Sequence, residues 1–464
     1  MNNDSAIPAT GPTGLRRTLK MRHMQMIALG GVIGAGLFVG SGVVIQATGP
    51  AAVLSFALTG TLVVLVMRML GEMAAAYPAV GGFYEYNRLA LGELAGFMTG
   101  WMYWYFWIIV VALEAVAGAK ILGEWMPGVP LWCFTLALMT LFTLLNLLSV
   151  RSWGEAEYWF ASVKVLAITL FLVLGVVAIA GFTPGYVGGF ANLTAFGGFM
   201  PKGIVPVLTG AVAATGFYFG SEIVTVAAAE SAEPERAVAQ ATQSVISRVL
   251  VFYVGSIFIV VTLVPWNSAG ILQPYVTALT SLHLPIPHAG EYIGTGMKAV
   301  ILTAVLSALN SGLFASSRMV MALALHGDAP SGLRRLSGNG VPMRAILLST
   351  AFGYVAVVMS YVSPEHVFKF LVDSYGTVAI FVYLLIAISE LEMRRRLERD
   401  APERLRVRMW LFPWLTYLAI GTMLAIVGAM AFIPDQRSPL LFGVISALAM
   451  LGGYALRRQF GVRA

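Results

Sequence analysis

Twelve apolar segments, each about long enough to cross the hydrocarbon core of a bilayer, constrain this chain more than any other feature of its sequence. A helix needs about 20 predominantly apolar residues for one crossing. Lipid offers the backbone no hydrogen bonds, so membrane spans are helices or a closed barrel. These segments are continuously hydrophobic instead of alternating, which excludes a barrel. The predicted fold is an all-α integral membrane protein with twelve transmembrane helices, over residues 22–45, 50–72, 95–122, 130–149, 158–181, 204–229, 243–265, 292–325, 343–362, 366–391, 409–432 and 438–457.

Composition agrees with a membrane protein. Hydrophobic residues make up 58% of the chain and charged residues 11%, against about 25% charged residues in soluble domains. The first apolar run is a full span, so we expect no cleavable signal peptide. Cys133 is the single cysteine, which excludes an internal disulfide and any metal site built from cysteines.

The basic residues predict the orientation of the chain. Most of the 29 lysines and arginines flank the spans on one side, in the same set of connections as both termini. The positive-inside rule therefore places both termini in the cytoplasm. The net charge of +7 mostly reflects the basic residues that flank the spans on the cytoplasmic side. These residues form no patch interleaved with aromatic side chains, so we expect no nucleic-acid partner.

Two glycine-rich stretches break otherwise apolar helices. They are GGVIGAGLFVGSG at residues 30–42, in span one, and GAVAATGFYFGSE at residues 210–222, in span six. Five spans separate them, and an odd number inverts the second copy, as in transporters built from inverted repeats. The predicted units are a cytoplasmic tail (1–21), a first repeat of helices 1–5 (22–181), a second repeat of helices 6–10 (204–391), helices 11 and 12 (409–457) and a second cytoplasmic tail (458–464).

Glycines in a membrane helix permit two arrangements. They allow neighbouring helices to pack closely, or they allow the helix to unwind where its backbone lines a cavity. Freed N–H groups attract a carboxylate, and freed carbonyls attract an ammonium group. Because two breaks occur at corresponding positions, we favour unwinding around a zwitterion, although both arrangements are compatible.

Four longer stretches carry a family resemblance. LKMRHMQMIALGGVIGAGLFVGSG, AGFMTGWMYWYFWIIVVALEAVAG, GFYFGSEIVTVAAAESAEPERAV and VFKFLVDSYGTVAIFVYLLIAISELEMRRR resemble the bacterial amino acid transporter family of the amino acid–polyamine–organocation superfamily. Within that family, PAAVLSFALTGTLVVLVMRMLGEMA, GDAP and RVRMWLFPWLTYLAIG are most similar to γ-aminobutyrate permeases. The resemblance implies a leucine-transporter-like fold, a 5+5 inverted repeat plus two C-terminal helices, with helices 1 and 6 interrupted. It also implies proton-driven uptake across the bacterial inner membrane.

The resemblance also implies a substrate site. The residues that match the first break and would receive the substrate carboxylate are Gly31, Ile33, Gly34, Ala35 and Gly36. Those that match the second break are Phe217, Tyr218, Phe219, Gly220, Ser221 and Glu222, where the carbonyls would receive the amine and the aromatic side chains would act as a lid.

A charge inside a membrane span costs about 3 kcal/mol, and three ionisable residues within the predicted spans stand out. Lys164 either snorkels to the cytoplasmic face or, as the resemblance implies, carries the coupling proton beside span one. Glu222 either accepts freed N–H groups of the broken helix or handles a proton. Glu114 either pairs with a neighbouring span or binds the substrate amine.

The predicted function is a proton-coupled amino acid permease that imports γ-aminobutyrate or a related ω-amino acid by alternating access. A permease for a neutral or aromatic α-amino acid and a membrane nutrient sensor are the alternatives. The five histidines do not cluster with aspartate or cysteine, so we expect no enzyme, no catalytic residues and no metal site. We expect no cofactor apart from the coupling proton, and a monomer whose partners are the substrate and the lipid bilayer.

Overall fold

The computed structural model describes residues 18–31, 33, 34, 36–77, 81–183, 189–282, 288–363, 367, 370, 371 and 377–460 of the chain. Within these ranges the regular secondary structure is helical, and no strand occurs. One isolated parallel bridge joins Leu19 to Ser231. The described part of the chain is therefore all-α, as its apolar spans predict.

The helices vary in length from 5 to 37 residues. In chain order they are α1 (Met21–Gly30), α2 (Ser41–Thr48), α3 (Ala52–Ala76), α4 (Phe83–Leu91), α5 (Glu93–Trp125), α6 (Leu131–Leu148), α7 (Val150–Ile179), α8 (Ile204–Ala214), α9 (Ile223–Ala227), α10 (Pro234–Arg248), α11 (Ser256–Leu263), α12 (Pro274–Thr280), α13 (Ala289–Leu325), α14 (Met343–Val362), α15 (Val378–Asp400), α16 (Trp414–Met430) and α17 (Pro434–Phe460).

Nine helical segments of the described residues are long and apolar enough to cross a membrane. They are Gly36–Ala76, Glu93–Trp125, Leu131–Leu148, Val150–Ile179, Ile204–Ala227, Ser244–Leu263, Gly290–Leu325, Met343–Val362 and Gln436–Gln459. The apolar helix α16 is shorter, at 17 residues. The first predicted span is divided between α1 and the segment that follows the break, and the predicted span 366–391 lies partly outside the described ranges. The count of twelve therefore stays a prediction.

Helix α7 shows how such a helix presents two faces. Its outward side carries exposed apolar side chains at helical spacing, Val163, Leu166, Leu170 and Val173, which suits contact with lipid. The opposite face is buried and repeats every three to four residues. That face carries Glu157, Ala161, Lys164, Ile168, Phe171, Gly175 and Ala178. Two charged residues of α7 therefore point into the protein.

Helices α5 and α13 pack against each other along much of their length at the centre of the molecule. Small residues allow this approach: a β-carbon on Gly312 would lie 2.8 Å from side-chain atoms of Trp107 and Val111. Around this pair, α1 packs against α7, and α3 packs against α8 and α10. The glycine-rich stretches meet inside this arrangement.

Candidate substrate site

The first glycine-rich stretch interrupts a helix. Helix α1 ends at Gly30, where the amide of Gly31 donates to the carbonyl of Ile27 at 2.8 Å. The amide of Ile33 then donates to the Gly30 carbonyl at 3.1 Å, and a π-helical turn begins the next helical segment at Gly36–Gly40. Gly31, Ile33 and Gly34 therefore lie outside both regular helices.

Open space lies beside this interruption. A β-carbon on Gly34 would have no heavy atom of the described residues within 4 Å, whereas the side chain of Ile33 is buried. Ala35, predicted for the same site, lies outside the described residues. A small molecule can therefore approach the backbone at Gly34.

The second stretch is interrupted in a different way. Helix α8 ends at Ala214 and continues as one tight turn, Thr215–Tyr218. Phe219 then adopts an extended conformation with ψ 141°, and Gly220 has φ 114°, a region that disfavours residues with a β-carbon. Helix α9 begins at Ile223, so the chain changes course within four residues.

The two interruptions lie against each other. A β-carbon on Gly220 would lie 2.5 Å from the carbonyl oxygen of Gly31, so only glycine permits this backbone contact. Next to this contact, the Phe217 ring packs against Gly36 and Gly40. A β-carbon on either glycine would lie 2.5 Å from a ring carbon. The structure therefore brings together the glycines predicted for the site from both stretches.

The three aromatic residues of the second stretch have different surroundings. Phe217 is half-buried and packs against the first stretch. Phe219 packs with its ring centroid 4.1 Å from that of Phe106 on α5. Tyr218 is directed away, with its hydroxyl donating to the Phe56 carbonyl on α3 at 2.8 Å. Its neighbour Ser221 closes the turn by donating to the Tyr218 carbonyl at 3.1 Å.

Glu222 is fully buried directly after the second interruption and accepts three hydrogen bonds. They come from the Tyr103 hydroxyl at 3.2 Å, the Tyr383 hydroxyl at 3.0 Å and the Gly220 amide at 3.1 Å. The carboxyl group thus ties the interrupted helix to α5 and α15. This arrangement fits the structural alternative for Glu222, in which the carboxylate accepts N–H groups freed by the break.

Lys164 lies beside the first interruption, buried to 1% exposure. Its Nζ atom donates to the Gly30 carbonyl at 2.5 Å and to Oγ of Ser307 on α13 at 2.9 Å. The ammonium group therefore bonds inside the protein instead of snorkelling to the cytoplasmic face.

Glu114 lies in the same neighbourhood without sharing these bonds. A β-carbon on Gly118 would lie 3.3 Å from Val305, and one on Gly312 would lie 2.8 Å from Val111. This antiparallel register places Glu114 at the level of Leu309, two residues from Ser307. Its Oε2 atom is buried and has no hydrogen-bond partner among the described residues. A carboxylate in this position is able to accept a bond from a ligand.

Sequence reasoning missed the role of three residues at the site. Tyr103 and Tyr383 hold Glu222, and their signal is spread over helices far apart in the chain. Glu157 is buried next to Lys164, yet the predicted span began one residue after it. The spacing of seven residues between Glu157 and Lys164, two helical turns, is the signal that places both on one face. Among the described residues, no group of three or more His, Cys, Asp or Glu side chains is arranged to hold a metal ion.

Comparison with known proteins identifies the family. The sequence profile of the Amino acid permease family matches residues 23–462. A gamma-aminobutyric acid permease of Bacillus subtilis (strain 168) is 51% identical over 450 residues, which cover 96% of this chain and 95% of the relative. A gamma-aminobutyric acid permease of Escherichia coli (strain K12) is 45% identical, covering 95% and 94% of the two chains. An aromatic amino acid transport protein of Corynebacterium glutamicum is 41% identical, covering 96% and 95%.

The match extends over nearly the whole chain, including both interruptions and the helices that hold Lys164 and Glu222. The matched family and these three relatives are permeases and transport proteins. The chain therefore belongs to the amino acid permease family and is a multi-pass membrane transporter of amino acids rather than an enzyme.

Proposed function

We propose that this permease imports γ-aminobutyrate or a related ω-amino acid together with protons by alternating access. The observation that carries the proposal is the backbone contact between Gly31 and Gly220, because it joins two interrupted helices beside open space at Gly34. The gamma-aminobutyric acid permeases of B. subtilis and E. coli, at 51% and 45% identity, support the choice of substrate.

In this proposal the substrate lies between the two interruptions. Backbone N–H groups of the first stretch receive the carboxylate, as at other helix N-termini. The residues proposed for this part of the site are Gly31, Ile33, Gly34, Ala35 and Gly36. Because the amides of Gly31 and Ile33 already donate to the carbonyls of Ile27 and Gly30, the carboxylate is proposed to bind the N–H groups of the other three. Carbonyl groups of the second stretch receive the amine, and Phe217 and Phe219 cover the bound molecule.

We further propose the finer architecture. Twelve helices form a leucine-transporter-like 5+5 inverted repeat (22–181 and 204–391) followed by two helices (409–457). Both termini are cytoplasmic in the inner membrane, and the protein is a monomer. The separation of the two interruptions by five predicted spans supports the inverted repeat, and the distribution of arginine supports the orientation.

Proton coupling is assigned to Lys164, with Glu222 as a second protonatable group. Lys164 holds the Gly30 carbonyl at the end of α1, so its charge bears directly on the first interruption. Glu114, with its unpartnered Oε2 atom, is proposed to bind the single ammonium group of an ω-amino acid together with the carbonyl groups of the second stretch. No cofactor other than the proton is proposed.

The test is uptake by purified protein in proteoliposomes with an imposed inward proton gradient. We expect labelled γ-aminobutyrate to accumulate, and an ionophore that collapses the gradient to abolish the accumulation. Competition by ω-amino acids of different chain lengths, α-amino acids and aromatic amino acids then defines the substrate class. Facilitated uptake that never exceeds the external concentration would contradict proton coupling.

A second candidate is a permease for a neutral or aromatic α-amino acid. It is favoured by the 41% identity to an aromatic amino acid transport protein and by the pairing of Phe219 with Phe106. This candidate predicts no accumulation of labelled γ-aminobutyrate. It predicts accumulation of labelled phenylalanine or tyrosine that γ-aminobutyrate does not inhibit.

A further inference from the structure

We propose that Glu157 is the group that takes the proton from Lys164, through the hydroxyl of Ser307, and passes it toward the cytoplasm. The inference rests on the proposed role of Lys164 in proton coupling. It adds an exit route for the proton, built from residues of α7 and α13.

The hydrogen bonds form a directed chain. Lys164 Nζ donates to Oγ of Ser307 at 2.9 Å. Ser307 in turn donates its hydroxyl hydrogen to Oε1 of Glu157. A hydroxyl has one hydrogen to donate, so this geometry already points from the ammonium group to the carboxylate.

The chain is sealed from solvent. Glu157 and Ser307 have no exposed surface, and Lys164 is 1% exposed. Oε2 of Glu157 accepts from Nδ2 of Asn310 at 3.1 Å, and Oδ1 of Asn310 accepts from Nδ2 of Asn146 at 3.3 Å. The amide of Asn310, itself held by Asn146, therefore fixes the carboxyl group of Glu157 with Oε1 toward Ser307.

The position of Glu157 gives the route a direction. It precedes Lys164 by two turns on the buried face of α7, about 10 Å along the helix axis. In the proposed orientation, the start of α7 at Val150 is cytoplasmic. Near that end, His23 on α1 lies with its Nε2 atom 3.2 Å from Oε1 of Glu155, so polar groups continue toward the surface.

Few titratable groups in the described ranges lie near Lys164 and Glu157 to influence the proton transfer between them. From α5 the facing group is Glu114, whose charge acts on Lys164. From α1, which packs against α7, it is His23, beside Gly154. Helix α13 contributes the neutral Ser307 and Asn310, and α6 contributes the neutral Asn146. Among the described residues, no cation forms an ion pair with Glu157 at 4.0 Å or less.

The transfer is balanced without another reactant. An N–H bond of the Lys164 ammonium group breaks as a new O–H bond forms on Ser307. The original O–H bond of Ser307 breaks as an O–H bond forms on Oε1 of Glu157. The products are a neutral amine, an unchanged serine and a neutral carboxylic acid.

The transfer also changes the hold on the first interruption. The bond from charged Lys164 to the Gly30 carbonyl is charge-assisted, and such bonds are about twice as strong as neutral ones. Loss of the proton to Glu157 therefore weakens the attachment of α1 at Gly30. This links proton release to a rearrangement of the helix that borders the substrate.

The test compares two assays of the purified protein in proteoliposomes. Counterflow exchanges labelled for unlabelled γ-aminobutyrate and needs no net proton movement. Accumulation under a proton gradient requires protons to move with the substrate. We expect Glu157→Gln, which keeps the shape of the side chain, to retain counterflow and to lose accumulation. Glu124→Gln changes an exposed carboxylate near the end of α5, outside the relay, and is the control, so we expect it to accumulate substrate as the wild type does.

Ser307 provides an independent arm. Ser307→Ala keeps both charges and removes the connecting hydroxyl, so we expect loss of accumulation with counterflow retained. Ser307→Thr restores a hydroxyl, and accumulation is expected to recover. The two Ser307 variants therefore test the relay even if Glu157→Gln fails to insert into the membrane.

Two outcomes overturn the relay. One is normal accumulation in Glu157→Gln, and the other is parallel loss of counterflow and accumulation, which marks a purely structural role. Lys164→Ala, measured alongside, separates the two proposals. If it accumulates substrate normally, the coupling role of Lys164 fails; if it does not and Glu157→Gln does, only the relay fails.

Discussion

The Nζ atom of Lys164 lies 2.5 Å from the carbonyl oxygen of Gly30, the last residue of α1. A helix that stops inside a membrane leaves carbonyl groups without intrahelical partners, and lipid supplies none. Lys164 satisfies one of them with a charged donor. The proton on this side chain and the shape of the first interruption are therefore physically linked.

Lys164→Ala is expected to retain substrate binding and to lose proton-driven accumulation. The substitution removes the titrating group and the donor to Gly30 but leaves both glycine-rich stretches in place. Binding is measured by ligand-dependent thermal stabilisation, and accumulation by uptake under an imposed pH gradient. Undiminished concentrative uptake in this variant would remove Lys164 from the mechanism.

Gly220 and Gly34 are expected to respond differently to alanine. Gly220→Ala places a β-carbon 2.5 Å from the Gly31 oxygen at a φ of 114°, so the two interruptions must separate and binding is lost. Gly34→Ala meets no heavy atom within 4 Å in the described part of the chain, so the protein should fold and bind with reduced affinity. Gly34→Leu should fill the space and abolish binding. Equal affinities in Gly220→Ala and the wild type would contradict the contact.

Glu222 is expected to stabilise the second interruption through its three donors. Glu222→Ala leaves the hydroxyls of Tyr103 and Tyr383 and the Gly220 amide without their acceptor, at about 1–3 kcal/mol for each buried group. Tyr103→Phe removes one donor and leaves the carboxyl group its other two, so its thermal unfolding temperature should fall less. The comparison is made in detergent with bound substrate absent, and an equal fall in both variants would argue against this role.

The sequence predicts the interruptions because their cause is local. Glycine at position 220 permits a backbone conformation that other residues resist, and the surrounding apolar residues mark the membrane. Lys164 is also visible, since a charge inside an apolar run is rare. These features need no knowledge of which helices meet.

The partners of the charged residues were not predictable in this way. Glu157 looks like the edge of a span until Ser307 and Asn310, about 150 positions later, are seen to enclose its carboxyl group. Tyr218 belongs to the matching motif, yet its side chain points to α3 because Phe56 offers a carbonyl there. Such pairings depend on helix packing, which a single sequence does not contain.

A buried ion pair links the segment that follows α9 to helix α13. Arg318 on α13 donates from Nε to Oε1 of Glu230 at 2.7 Å, with side-chain exposures of 5% and 0%. Beside it, the amide of Leu19 donates to the Glu230 carbonyl at 3.0 Å. The second half of the broken helix is thus tied to α13 and to the start of the described chain.

Arg318→Met is expected to destabilise the protein by about 3–5 kcal/mol, the usual cost of leaving one partner of a buried pair uncompensated. The double variant Arg318→Met with Glu230→Gln removes both charges and should recover much of that loss. Thermal or denaturant unfolding of the single and double variants measures the difference. A double variant less stable than either single one would rule out this pairing.

His326, just after α13, gives the protein a pH-dependent contact outside the membrane spans. Its Nε2 atom lies 3.0 Å from Oε2 of Glu85 on α4, and this carboxylate raises the pKa of His326 above 6.5. A raised pKa means that the folded state binds the proton more tightly than the unfolded state. The contact is therefore fully present below pH 6.5 and is lost as the pH rises through the higher pKa of the folded protein.

We expect the difference in unfolding temperature between the wild type and His326→Gln to be largest near pH 6 and to shrink toward alkaline pH. Glu85→Gln should show the same trend, and a difference that grows with pH in either variant would contradict the assignment.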